Sequence, residues 1–382
     1  MNGIAPPTGV NSGIPFLDLK RAYQELEMEI NEAVARVFRQ GIFILGPEVE
    51  EFEKEWAQFC RITAAATTGN GTDALELALI ASGVIRPGRG DEVITTPLTA
   101  AYTALAIVNA GGCPVFADID PHSYLITPET IEAAITSRTR AIVPVHLYGQ
   151  MADLGELHEI ARRYDLPIIE DAAQAHGVGD HRQRPGALSN AAIFSFYPTK
   201  NLGAYGDGGA VVSNDEKLIE RIKVLRQGGQ ATATRGNIPG MNSRLDELHA
   251  GILRVKLRRL DEWNQRRRSL AEFYRKSLDG IRWQAPFSAE TAWHVWHLYV
   301  IRHSRRDRLR AALAARGIET MIHYPQLLHQ QPLFRRPEQR RLPVAESIAG
   351  EILSLPLYPQ LRPDEAQTIV DAIREFDQDS NL

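Results

Sequence analysis

Lys200 closes an apolar run, Ile193-Phe194-Ser195-Phe196-Tyr197-Pro198-Thr199-Lys200, and Gly203, Gly206, Gly208 and Gly209 follow it. An amine in such a turn can form a Schiff base with an aldehyde such as pyridoxal phosphate (PLP). Ser195, five residues earlier, can donate to a phosphate. The glycines let backbone approach a flat ring without Cβ clashes. A solvated lysine in a strand-to-turn segment would have the same local sequence, so the reading depends on what else the chain supplies.

Leu166-Pro167-Ile168-Ile169-Glu170-Asp171 leaves Asp171 just past an apolar strand. An acid there is stranded among apolar neighbours unless it meets a positive partner. The protonated pyridine nitrogen of PLP would be one, and that ion pair would keep the ring an electron sink. Gln174 could hydrogen-bond the ring hydroxyl. The alternative use is an aspartate that caps the next helix. Gly69-Asn70-Gly71-Thr72-Asp73-Ala74 follows a strand pattern and opens a helix. Free amides at that N-terminus, with the helix dipole, form a ready phosphate site, to which Thr72 can add a hydroxyl. Thr72 or Asp73 can cap the helix. The same stretch reads G-x-G-x-x-A, close to a dinucleotide fingerprint. That reading needs an acid at the carboxyl end of the next strand, whereas Asp91 and Glu92 precede strand Val93–Thr96.

Two weaker clusters lie downstream. Met241-Asn242-Ser243-Arg244-Leu245-Asp246-Glu247 reads as a capping box, Ser243 with Asp246 or Glu247. His323-Tyr324-Pro325 and His329 lie between two C-terminal helices, where ring nitrogens and a phenol suit a hydroxyl-rich substrate.

These residues need a scaffold. Strand patterns cover Ile62–Thr67, Val93–Thr96, Pro114–Ala117, Ala141–Val145, Pro167–Glu170, Ala192–Phe196 and Gly209–Ser213. Helical patterns between them include Asp73–Ser82, Thr103–Ala110, Pro128–Thr136 and Asp153–Tyr164. Alternation of this kind predicts an α/β fold with a mainly parallel sheet covered on both faces. Ligands of such sheets sit at the carboxyl ends of strands, where the chemical residues above fall. Leu248–Leu278 reads as one long basic helix carrying Arg254, Lys256, Arg258, Arg259, Arg266, Arg267 and Arg268 on a solvated or subunit-facing surface. A smaller α+β segment follows, with a strand at His297–Ile301 and helices at Arg305–Arg316 and Val344–Ser354. The expected division is a large domain over 1–250 and a long linking helix with a small domain over 251–382.

Composition narrows the function classes. A net charge of −4 argues against a chain built for nucleic acid or anionic membrane. Two cysteines make no disulfide framework, and no Cys/His cluster has zinc-site spacing. Met1 to Gly13 lack a basic start and an apolar core, and no apolar run reaches membrane-spanning length, so the expected location is the cytoplasm.

Taken together, the segments closely resemble the DegT/DnrJ/EryC1/StrS family of nucleotide-sugar aminotransferases. The resemblance runs from Phe16-Leu17-Asp18-Leu19-Lys20 and Gly46-Pro47-Glu48-Val49-Glu50-Glu51-Phe52-Glu53 to Leu353-Ser354-Leu355-Pro356-Leu357-Tyr358-Pro359. It includes Gly71-Thr72-Asp73-Ala74-Leu75, His146-Leu147-Tyr148-Gly149-Gln150, Glu170–Gly177, the Lys200 segment, Asn242–Glu247 and His323-Tyr324-Pro325. It implies a fold-type I PLP-dependent transferase with a mostly parallel seven-stranded sheet, a smaller C-terminal α+β domain, and a homodimer sharing its active sites. It also implies roles: Lys200 as the Schiff-base lysine, Asp171 on the pyridine nitrogen, Gln174 near the ring oxygen. Gly71, Thr72 and Ser195 would hold the phosphate, with Asn242 reaching across from the partner subunit. His323, Tyr324 and His329 would lie near the sugar. Glutamate would donate the amine to a keto sugar linked to dTDP or UDP, with C3 favoured by the Phe16–Lys20 pattern. Two departures stand out: Ala100, with Tyr102 nearby, where relatives often stack an aromatic ring on the cofactor, and Gly228, where they often have His. Family members that dehydrate sugars replace the lysine with histidine, so Lys200 favours transamination over dehydration.

Overall fold

The computed structural model describes residues 13–179, 183–229, 240–280, 294–336, 338 and 340–379. The stretch before Gly13, read above for a leader, and Gln230 lie outside the described residues. Two helices come first: α1 (Leu19–Gln40), capped by the Asp18 carboxylate and stopped by Gly41 in the left-handed region, and α2 (Pro47–Cys60). Then β1 (Ala64–Thr68), α3 (Gly71–Ser82), β2 (Glu92–Thr95), α4 (Ala101–Asn109), β3 (Cys113–Phe116), α5 (Pro128–Glu132), β4 (Thr139–Ile142) and α6 (Leu154–Arg163) alternate. After them come β5 (Ile169–Asp171), β6 (Ala191–Ser195), β7 (Gly209–Ser213) and α7 (Glu216–Leu225).

The strands form a four-stranded sheet, β1-β7-β6-β5, and a three-stranded sheet, β3-β2-β4. β7 runs antiparallel to both neighbours; the other pairings are parallel. Two isolated parallel bridges, Ile142 with Ile168 and Val145 with Asp171, connect the sheets where a continuous seven-stranded ladder was expected. Proline explains the interruption: Pro144 and Pro167 sit in this seam and cannot donate to a ladder. Each instead accepts, Pro144 from the Asp171 amide at 2.8 Å and Pro167 from the Ile142 amide at 3.0 Å. Helices cover both faces. Leu75, Leu79, Ile107, Ile219 and Ile222 pack on Val93, Ile169, Ile193 and Val211. On the other face Phe52, Trp56 and Leu253 pack on Ala192, Phe194 and Val212.

The C-terminal part departs from the sequence reading in two places. The single long helix is two, α8 (Glu247–Leu257) and α9 (Leu260–Ser277). No proline or glycine marks the break at Arg258 and Arg259. Both arginines turn to Glu29 of α1, at 3.3 and 3.2 Å, so tertiary pairing occupies the bend. Nor is the basic face uniformly solvated. Lys256 and Arg267 are buried and satisfy backbone carbonyls, Lys256 that of Gly203 at 2.6 Å, Arg267 those of Trp296 and Leu357 at 3.1 and 2.9 Å. β8 (Tyr299–Arg302) and α10 (Arg306–Ala315) follow, then α11 (Pro343–Ala349), which is shorter than expected. Ile352–Leu355 is a buried strand, β9, antiparallel to β8, because Gly350 ends the helix before an apolar run. Helix α12 (Pro363–Asp379) closes the fold over Leu309, Leu313, Leu353 and Leu355.

Candidate active site

Ser195 and Thr68 both pair with Gly209, so the carboxyl ends of β6 and β1 lie on either side of one residue of β7. The first residue of α3 sits on that edge. A Cβ on Gly71 would lie 2.7 Å from the Ser195 Cβ, and one on Gly209 would lie 2.3 Å from the Asn70 carbonyl oxygen. Only glycine allows this approach, which sets the α3 N-terminus beside the Ser195 hydroxyl. Asn70, rather than Thr72 or Asp73, caps α3: its side chain accepts from the Asp73 amide at 2.9 Å. Ser243 is no capping box either. Its hydroxyl donates to Asp73 at 2.6 Å and accepts from the Gly69 amide at 2.8 Å, pinning the loop that opens α3. Glu247 is likewise engaged elsewhere, accepting from the Gly46, Glu48 and Val49 amides at the start of α2.

Asp171 ends β5 and is buried. Its Oδ2 accepts from the Thr103 hydroxyl at 2.7 Å and its Oδ1 from the Ala173 amide at 3.1 Å. No helix is capped by it. Gln174 is also buried: its carbonyl accepts from the Tyr148 amide at 2.7 Å and its amide donates to the Tyr324 hydroxyl at 3.0 Å. Tyr324 is thereby brought to the Asp171 end of the sheet, and Asp171 contributes to raising its pKa, after burial. His323 is held by Ser354 at 2.8 Å, and its carbonyl accepts from the Tyr148 hydroxyl.

Lys200 is partly buried in the turn after β6, its amide donating to the Tyr197 carbonyl at 2.9 Å. Burial pushes its amine down to about 8, against the opposing charge of Asp171. Burial first and the Lys200 charge second push His176 down to about 3 and His323 down to about 4; His297 also falls well below its ordinary value. Lys200 and Asp171 therefore share a setting of neutral rings, and the Arg267 charge also reaches His176 and His297. The residue after the lysine, Asn201, is anchored by Asn264, Val295 and His297.

Lys200, Asp171, Gln174, His323 and Tyr324 are thus linked by hydrogen bonds or mutual charge, and Gly71 and Ser195 touch. His329 stands apart: it is buried, with Glu346 at 3.3 Å and the Phe116 ring beside it. Asn242 is exposed and bridges Gln227 of its own chain. Ala100 is the N-cap residue of α4, and Tyr102, 64% exposed, does not pack inward to replace a stacking ring. Thr103, Tyr148 and Asn264 were not singled out from sequence. Thr103 lies in an alanine-rich helix start, where nothing in the local pattern separates a hydroxyl aimed at Asp171 from a filler. The site fits PLP: an amine pushed down to about 8, a buried carboxylate whose donors among the described residues are a hydroxyl and an amide, and a glycine-shaped helix N-terminus beside a hydroxyl. Among the described residues no group of His, Cys, Asp and Glu is arranged to hold a metal.

Comparison with known proteins agrees. The DegT/DnrJ/EryC1/StrS aminotransferase family matches residues 24–374. A dTDP-3-amino-3,4,6-trideoxy-alpha-D-glucose transaminase of Streptomyces venezuelae is 46% identical over 368 residues, covering 95% of this chain and 96% of that one. The solved structure of S. venezuelae DesV with a ketimine intermediate superposes with a TM-score of 0.92 at 46% identity, over 96% of this chain and 99% of that one. A Bacillus subtilis structure, ntda with bound cofactor PMP, superposes at 0.89 with 31% identity, over 96% of this chain and 86% of that one. With a match spanning nearly its whole length and relatives this similar, the chain belongs to the DegT/DnrJ/EryC1/StrS aminotransferase family.

Proposed function

We propose that this enzyme moves an amino group from glutamate to a keto sugar linked to dTDP or UDP, with C3 of a deoxysugar as the acceptor carbon. PLP, when bound, supplies an electron sink for the carbon that loses its proton. The chain's own residues supply the rest. Lys200 would hold the coenzyme covalently, and its amine would serve as the base that takes the proton from the substrate Cα. An amine pushed down to about 8 is partly neutral near pH 7, as a base must be. Asp171 holds the proton on the ring nitrogen, and Gln174 stands at the ring oxygen. Gly71, Thr72 and Ser195 take the phosphate, with Asn242 from a second subunit. His323 and Tyr324 face the sugar, and His329 belongs to the same segment. The proposal includes a homodimer sharing its sites, a cytoplasmic location, and a division near residue 250 into a large and a small domain.

The observation that carries this reading is the Lys200 amine, half-sunk at the sheet edge beside a buried carboxylate that, among the described residues, forms no ion pair. The names of the relatives support the sugar and the transfer. Among the described residues no helix is long and apolar enough to cross a membrane. A sugar dehydratase is disfavoured by the retained lysine. A dinucleotide oxidoreductase is disfavoured because Asp91 and Glu92 are consumed by arginines at the other end of the sheet. The test is direct. Protein loaded with PLP and treated with borohydride should carry the label on Lys200, and glutamate should convert the coenzyme to its pyridoxamine form. Lys200→Ala should abolish both. Absence of the pyridoxamine form after glutamate addition would overturn the reading, and a panel of dTDP- and UDP-linked keto sugars would then fix the acceptor.

A further inference from the structure

A hydroxyl chain runs to Asp171 from the loop after β2. Thr99 and Thr103 are both buried, and their hydroxyl oxygens are 3.4 Å apart. Thr103 gives its only hydroxyl proton to Asp171, so the Thr99 contact can only be one that Thr103 accepts. The direction of the chain is therefore fixed as Thr99 to Thr103 to Asp171. Ala173 holds the other carboxylate oxygen. With one donor on each oxygen, the carboxylate cannot rotate freely about its Cβ–Cγ bond.

We propose that Thr103, backed by Thr99, is a positioning residue for Asp171: its hydroxyl fixes the carboxylate in the orientation that lets it hold a proton on a ring nitrogen. This rests on the role given to Asp171 under Proposed function. The physical reason is that a carboxylate with a fixed donor on each oxygen presents its remaining lone pairs in one direction. Two titratable groups sense Asp171 from other elements: Lys200 from the turn after β6, and Tyr324, which Gln174 holds. Neither donates to Asp171 among the described residues, so Thr103 is its only side-chain donor there. Without that donor the carboxylate would be free to turn, and its hold on a ring-nitrogen proton would weaken. A bound coenzyme would then carry less positive charge on its ring, and its visible band would titrate at higher pH.

The experiment uses PLP-loaded protein and compares Thr103→Val, Thr103→Ala, Thr103→Ser and Asp171→Asn. In the Val and Ala variants, the midpoint of the pH titration of the visible coenzyme band should move up. The maximal rate of the glutamate half-reaction should fall roughly tenfold to a hundredfold, the range of one hydrogen bond to a charged group. The glutamate concentration for half-maximal rate should stay put, because Thr103 touches no substrate. Thr103→Ser should restore both. A wild-type midpoint and rate in folded Val and Ala variants, with Asp171→Asn impaired, would overturn the role of Thr103 alone. Wild-type behaviour of Asp171→Asn would remove the role of Asp171 and this inference with it. The Ala variant avoids the added methyl should Val pack poorly in α4.

Discussion

Acids sit at both ends of the sheet, and the two ends treat them differently. At the amino end of β2, Asp91 and Glu92 are buried and met by arginines. Asp91 takes Arg86 at 3.0 Å and Arg140 at 3.2 Å, and Glu92 takes Arg138 at 2.5 Å. At the carboxyl end of β5, Asp171 is as well buried, yet among the described residues it forms no ion pair and accepts only from a hydroxyl and an amide. A buried carboxylate matched by guanidinium has spent its charge on the fold. One held by uncharged donors still has a charge to offer, and the site's own cation, Lys200, feels it without neutralising it. Burial alone therefore does not mark an acid as chemical; the nature of its partners does.

Asp171→Asn is the hardest test of that contrast. The glutamate half-reaction should slow by at least about a hundredfold, because an amide cannot hold a proton on the ring. Thermal stability should change little, since no ion pair is broken. The same variant should also lower the pH at which Lys200 takes up PLP. In the wild type, borohydride-trapped attachment should rise with pH through a midpoint of about 8, because burial favours the neutral amine. Asp171 opposes that shift, so its removal must move the midpoint down. A variant that kept its rate and lost stability would reverse the assignments of the two ends.

The amino end should answer in the opposite way. Glu92→Gln should lower the melting temperature by a few degrees, because Arg138 and Thr136 lose a buried anionic partner, and leave the half-reaction unchanged. Asp91 adds a pH signature. Hydrogen bonding by Arg86 pushes it down to about 2, below its ordinary value. A depressed acid stabilises the fold above its ordinary pKa and loses that contribution as pH falls through the folded value. Denaturant unfolding between about pH 4 and pH 2 should therefore be flatter in Asp91→Asn than in the wild type.

How much of this could be read beforehand follows the same physics. Strands and their alternation with helices were legible because apolar runs of the right length have few other uses, and Asp171 and Lys200 stood out as polar groups at the ends of such runs. The α8–α9 break was not legible, since no proline or glycine marks it and the arginines at the bend pair with Glu29, more than two hundred residues away in sequence. The interruption between β4 and β5 turns on two prolines, Pro144 within one expected strand and Pro167 at the start of the next. Lys256 and Arg267 looked like surface charge because a sequence pattern records hydropathy, not which carbonyls lie unpaired nearby. Ser243 and Glu247 had the spacing of a capping box, and only the tertiary fold brings Gly69 and Gly46 close enough to claim them instead. Thr103 shows the limit most clearly: its role exists only because α4 lands on the end of β5.

Ser243 supplies the smallest and most discriminating effect. It touches neither acid at the ends compared above, but it joins the Gly69 amide to the Asp73 carboxylate and so shapes the helix start that the phosphate would occupy. Ser243→Ala removes one donor and one acceptor from a partly buried loop, a loss of about 1 kcal/mol, or somewhat under tenfold in affinity for PLP. Fluorescence titration of the apoprotein should show that weakening while the attachment midpoint of Lys200 stays where it is, because no charge near the amine has changed. A shifted midpoint would mean that the loop and the Lys200–Asp171 pair are electrostatically one unit. An unchanged affinity would instead mean that the cradle is set by Gly71 and Ser195 without help from the α8 side.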